Sequence, residues 1–138
     1  MAQSTENISK EQYGYSVTID LPYDKAVEKT KAALKDQGFG VLAEIDVKRT
    51  MKEKLNADFE RYVILGACNP PLAHQALTNE PLIGLLLPCN VIVREVDAKT
   101  SQVAAIDAKK MLSVVGNPGL DPVAEEVNTK LKKVLEAL

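Results

Sequence analysis

From Tyr62 to Val93 the only formally charged side chain is Glu80. A run this poor in charge cannot lie over an open surface without exposing a broad apolar patch, so the chain must fold around it or leave it for a contact. Its central part, residues 66 to 90, also holds both cysteines, the only histidine and four of the seven prolines. Fold and chemistry therefore both turn on this one stretch.

The remaining composition narrows the possibilities. With 138 residues, 46% hydrophobic and 26% charged, the chain fits one ordinary domain; the reading is a polar N-terminal tail over residues 1–10 and a single α+β domain over 11–138. A formal charge of −2 offers no field for a polyanion, so nucleic acid is not an expected partner. The longest apolar run, Leu82 to Leu87, is far too short for a bilayer, and the polar N-terminus has no secretory core, so the expectation is a cytoplasmic protein without a membrane. In that compartment Cys68 and Cys89 read as free thiols, metal ligands or packed atoms rather than a disulfide.

Periodicity supplies the elements. Tyr13 to Asp20 alternates, with Tyr13, Tyr15, Val17 and Ile19 on one face, and predicts a strand. A helix follows to about Gln37, its inward stripe Val27, Thr30, Ala33 and Leu34, with Gly38 as left-handed cap. Phe39 to Val47 predicts a second strand with Phe39, Val41, Ala43, Ile45 and Val47 on one face. Val47, Met51 and Leu55, four apart, predict a short helix with Lys48, Arg49, Lys52 and Lys54 outside. Phe59 to Leu65 predicts a third strand closed by Gly66. Asn69 as cap and Pro70 at the first helical position predict a short helix over Leu72 to Leu77, with a further turn through Leu82 to Leu87. Asn90–Asp97 and Gln102–Ile106 read as a hairpin, Asp107 as the cap of a brief helix, and Asp121-Pro122 as the start of a long one with Val123, Val127, Leu131, Val134 and Leu138 in one stripe. The fold class is α+β: a mainly antiparallel sheet of about five strands, two long helices on one face and a short helical insert. Its open edges and the uncharged run suggest a homodimer.

Five short stretches carry a family resemblance: Gly38-Phe-Gly-Val-Leu42, Gly66-Ala-Cys-Asn-Pro70, Ala73-His-Gln-Ala-Leu77, Glu80-Pro-Leu-Ile-Gly84 and Leu87-Pro-Cys-Asn90. Together they resemble the bacterial and archaeal domain-of-unknown-function family 302 over residues 11 to 138. The resemblance implies an α+β domain of the general shape of TATA-box-binding-protein-like folds, found as a homodimer, with no established activity. A shape shared with a DNA-binding fold does not transfer function, and the net charge speaks against it.

The candidate ligand-binding residues are Cys68, Asn69, His74, Cys89 and Asn90. Cys68 precedes a helix start, where partial positive charge stabilises a thiolate or a small anion; against this, a free cysteine commonly packs as a small hydrophobe. Cys68, His74 and Cys89 are the candidate metal ligands, but their spacing is no recognised signature and structural zinc wants four. A Cys–His nucleophile would need an orienting group, for which Asn69, Asn90 and Glu80 are the candidates. The Lys48–Lys54 face reads as solvated, and Gly116-Asn-Pro-Gly119 as a turn rather than a phosphate loop. The leading expectation is a small homodimeric protein holding an apolar or anionic ligand near residues 66–90; the alternative is a thiol- or metal-dependent redox protein using Cys68 with His74 or Cys89. The chain names no cofactor.

Overall fold

The structure, a computed structural model, describes residues 7–138, so much of the expected polar tail lies outside the described residues. Among the described residues six strands form one sheet in the order β1-β2-β6-β5-β4-β3, with every neighbouring pair antiparallel. They are β1 Ser9–Lys10, β2 Gly14–Ile19, β3 Gly40–Asp46, β4 Tyr62–Cys68, β5 Cys89–Asp97 and β6 Thr100–Ile106. The α+β antiparallel class is as the sequence indicated. The sixth strand, β1, comes from the last two residues of the expected tail.

Layering follows from the strand period of two. On β2, β4, β5 and β6 the odd-numbered residues point to one side, and register aligns them into rows. Val17 faces Val103, Val103 faces Val93, and Val93 faces Val63, all four buried. Two helices cover this side: α1 (Tyr23–Asp36) against β5 and β6, and α5 (Asp121–Glu136) against β6 and β2, in contact with each other. Along α5 the residues Val123, Val127, Leu131, Val134 and Leu135 are buried at three-and-four spacing, each such side chain contributing about 1.5–3 kcal/mol through removal from water. Gly38 has φ +83°, and the N–H groups of Gly38 and Phe39 donate to the carbonyls of Lys35 and Leu34, closing α1 as its sequence predicts.

Four expectations are corrected by the structure. A bulge between Val41 and Ala43 reverses the phase of β3, so Glu44 and Asp46 pair with Leu65 and Val63 on the helix side while Ile45 pairs with Ile64 on the other. The Val47–Met51–Leu55 stripe on α2 (Val47–Leu55) is not a core face: that helix has no buried residue, and Leu55 is exposed. Strand β4 begins at Tyr62 rather than Phe59 and continues through Gly66 to Cys68. Tyr13 is exposed and precedes β2 instead of joining its buried face.

Two shorter helices complete the layer, α3 (Pro70–Asn79) and α4 (Ala108–Ser113). The link between α4 and α5 is polar and buried. Asp107 Oδ1 accepts from the Lys110 N–H at 3.1 Å and from Asn128 Nδ2 at 2.8 Å, Asn128 Oδ1 accepts from the Ala108 N–H at 2.7 Å, and Lys10 Nζ lies 3.1 Å from Asp107 Oδ2. Burial acts to raise the Asp107 carboxyl, but the bonds from Asn128, Lys110 and Lys10 outweigh it and hold the group below its ordinary value. A carboxyl depressed in the folded state contributes stability above its unfolded value, about 3.9, and loses it as pH falls through the folded value. Urea unfolding from neutral pH into acid should therefore show a loss of stability that Asp107→Asn reduces; an unchanged acid limb in that variant would disprove this account.

Candidate functional site

Small residues leave an apolar cavity at one end of the sheet. Where the ends of β4 and β5 meet α3, α4 and α5, inward positions are filled by Ala67, Ala73, Ala76 and Ala108 rather than by larger side chains, and a cavity of about 380 Å3 remains. Phe39, Leu72, Leu112, Val123 and Val127 complete its depth, and Leu42, Leu77, Leu87 and Pro88 stand with them around it. Pro88 is brought in by Gly66: a Cβ at that position would meet Pro88 Cγ at 2.9 Å, so the glycine serves close approach within a strand, not the turn the sequence suggests.

The five candidate residues separate. Cys68, Asn69 and Cys89 lie on the cavity wall. His74 is exposed on α3 and does not line it; Asn90 is exposed and pairs with Gly66, beside Ile92 and Tyr62 along the uncovered face of the sheet. Cys68, His74 and Cys89 are thus not gathered. Among the described residues no group of three or more His, Cys, Asp or Glu is placed to hold a metal ion.

The start of α3 differs from the anion site expected there. Pro70 and Pro71 have no N–H, the Leu72 N–H donates to Asn69 Oδ1 in a long bond of 3.5 Å, and the Ala73 N–H donates to the Asn69 carbonyl at 2.8 Å. A helix start attracts anions chiefly through its unsatisfied N–H groups, and here the first turn has none to offer. Asn69 is structural instead: its Nδ2 donates to the Gln37 carbonyl at 3.3 Å and ties α3 to the end of α1.

The sulfurs differ in access. Cys68 is half-buried, whereas Cys89 is 8% exposed and its thiol has no hydrogen-bond partner among the described residues. Burial, and secondarily the nearby Cys68, push the Cys89 thiol up to about 11. What the sequence did not reveal is the contribution of β3, α4 and α5 to the wall; the available signal was the recurrence of alanine at inward helical and strand positions. The basic face of α2 is internally engaged: Lys48 Nζ donates to the Phe59 carbonyl, Arg49 pairs with Glu53 and Lys52 with Asp58.

A one-sided antiparallel sheet with an apolar cavity at one end defines the class of protein. The chain belongs to the domain of unknown function family DUF302, whose model matches residues 15–138. A crystal structure of an uncharacterized conserved DUF302 protein from Bacillus stearothermophilus is similar to it, with a TM-score of 0.83 and 28% identity over 91% of this chain and 97% of that one. No curated protein matches.

Access and burial together set the thiol chemistry. In the native protein at neutral pH iodoacetamide should modify Cys68 while Cys89 reacts only as the pH approaches the alkaline range, both reacting in denaturant; peptide mapping that found Cys89 modified first would contradict the burial described.

Proposed function

We propose that this protein binds a small, uncharged, apolar ligand in the cavity walled by residues 67–89, α4 and α5. The observation that carries the reading is the chemistry of the wall: about 380 Å3 of space lined by aliphatic residues, Phe39 and the two cysteines, with Asn69 turned to structural hydrogen bonds. The volume lies within the usual range of about 300–1,000 Å3 for ligand sites, and an apolar cavity of about 150 Å3 is already enough to take up benzene. With no cation among the described residues of the wall and no free N–H in the first turn of α3, the apolar ligand is favoured over the anionic one. The test compares decanol with decanoate by thermal shift and calorimetry. Decanol should raise the melting temperature, decanoate should bind at least about tenfold more weakly, a difference of about 1.4 kcal/mol, and Ala73→Leu, which adds bulk at the wall, should abolish the decanol response. Equal responses to the two, or none to either, would end the reading.

The surface beside the cavity favours a second copy of the chain as partner. Leu82 and Leu85 on the 3₁₀-helix Pro81–Leu86 are 73% and 85% exposed, Leu42 on edge strand β3 is 72% exposed, and Glu80, the single charge of the run, accepts from Asn117 Nδ2. An uncharged patch next to a free strand edge is self-compatible and is commonly covered by another subunit. Sedimentation should give a dimer that Leu85→Lys converts to monomer with little change in melting temperature; a monomeric parent protein would refute this. Free thiols, one of them buried, fit a reducing compartment such as the cytoplasm. No helix among the described residues is long and apolar enough to cross a membrane.

A further inference from the structure

The glycines of this chain differ in what requires them. At Gly14 and Gly66 a Cβ would strike Ala105 O at 2.7 Å and Pro88 Cγ at 2.9 Å, and Gly38 and Gly116 have φ of +83° and +71°. Gly84, within the 3₁₀-helix Pro81–Leu86, has neither reason. Its φ lies outside the left-handed region, and a Cβ built there meets no described atom within 4 Å. A glycine inside a helix gives up more conformational entropy on folding than an alanine, and here neither backbone nor packing asks for that loss. What sets Gly84 apart is its place: it is exposed, and it lines the apolar cavity.

Residues that both line the cavity and reach solvent mark its opening. They are Leu42 and Ala43 on β3, Leu77 on α3, Gly84 and Pro88, whereas Ala67, Ala76 and Ala108 lie buried in the depth. The parts of this rim differ in stiffness. Exposed leucine side chains change rotamer quickly and swing aside for a guest, so the fixed limit on width is set by the Pro88 ring and by the bare backbone at Gly84.

We propose that Gly84 is the threshold across which ligands enter and leave the cavity, and that its missing side chain admits ring-bearing uncharged molecules as well as single chains. The proposal rests on the apolar-ligand reading above and adds the route to that site and the breadth of ligand it takes. The shape of the space agrees with it. Strands β3, β4 and β5, helices α3, α4 and α5 and the Pro81–Leu86 segment all contribute to the wall, which encloses the cavity from many sides rather than drawing it out as a groove between two elements.

A side chain at a threshold has a kinetic signature that one in the interior lacks. It raises the barrier to entry and to exit alike, so both rates fall while their ratio, the affinity, is kept. Bulk placed inside the cavity, as in Ala73→Leu, lowers affinity instead.

The test follows exchange of 1-adamantanol, a compact cage alcohol, and of decanol with the full chain by NMR line shapes, with affinities from calorimetry, at one concentration where sedimentation shows a single species. The parent protein should bind both alcohols. Gly84→Leu should slow association and dissociation of 1-adamantanol by about tenfold or more, slow decanol less, and change either Kd by less than about threefold. His74→Leu, the same bulk on an exposed part of α3 outside the wall, should leave every rate as it was. Gly84→Ala should keep or raise the melting temperature, because the backbone there suits any residue, and should slow 1-adamantanol to a smaller extent, which carries the test if the leucine variant does not fold. If decanol alone binds, if Gly84→Leu leaves the 1-adamantanol rates unchanged, slows the two alcohols alike or weakens binding without slowing release, or if Gly84→Ala is destabilised, the threshold is overturned and the cavity reading stands. If neither alcohol binds the parent protein, both fall together.

Discussion

The structure depends on one alignment: the odd-numbered residues of β2, β4, β5 and β6 arrive in register on the same side of the sheet. Val17, Val103, Val93 and Val63 form one buried row across four strands, and a shift of one residue in any strand would turn its whole apolar set away from α1 and α5. That constraint places Ala67 opposite Cys89 at the end of the sheet, and the cavity begins where this row of side chains becomes too small to fill the space under α3. Side chains that face the cavity have fewer packing partners on that side, and this is the physical basis of the apolar ligand proposed above.

Polar groups near the cavity serve architecture. Asn69 joins the ends of α1 and α3, and Asp107 with Asn128 fastens α4 to α5; both connections fix segments that contribute to the wall. Buried hydrogen-bonding groups of this kind are stabilising only while every partner is present, which explains why so small an asparagine–aspartate cluster sits within an otherwise aliphatic layer. The cavity keeps its apolar character because these groups face one another.

The uncharged run has two fates. Its strand portions, Val63 to Ala67 and Cys89 to Val93, supply the centre of the sheet, while the helical portion between them leaves Leu77, Leu82 and Leu85 exposed. Low charge alone does not distinguish a buried position from a surface one awaiting cover, since both exclude charged side chains for the same energetic reason.

Local chemistry made much of the fold legible in the sequence. The Asn69-Pro70 helix start, the Gly38 cap, the β5–β6 hairpin, the Asp107 cap and the stripe on α5 each depend on interactions within a few residues, and the antiparallel α+β class follows from their order. Tertiary structure decided what depends on distant partners. The reversal of β3 arises from its bulge against β4, the exposure of α2 from its place against β3 and β4 with no other described element packed over it, and the requirement for glycine at Gly66 from the approach of Pro88. The candidate site divides in the same way: the sequence singled out Cys68, Asn69 and Cys89, but the turn of Asn90 to the opposite face, the exposure of His74 and the closing of the wall by α4 and α5 follow only from register and helix packing, which bring together residues that no local pattern connects.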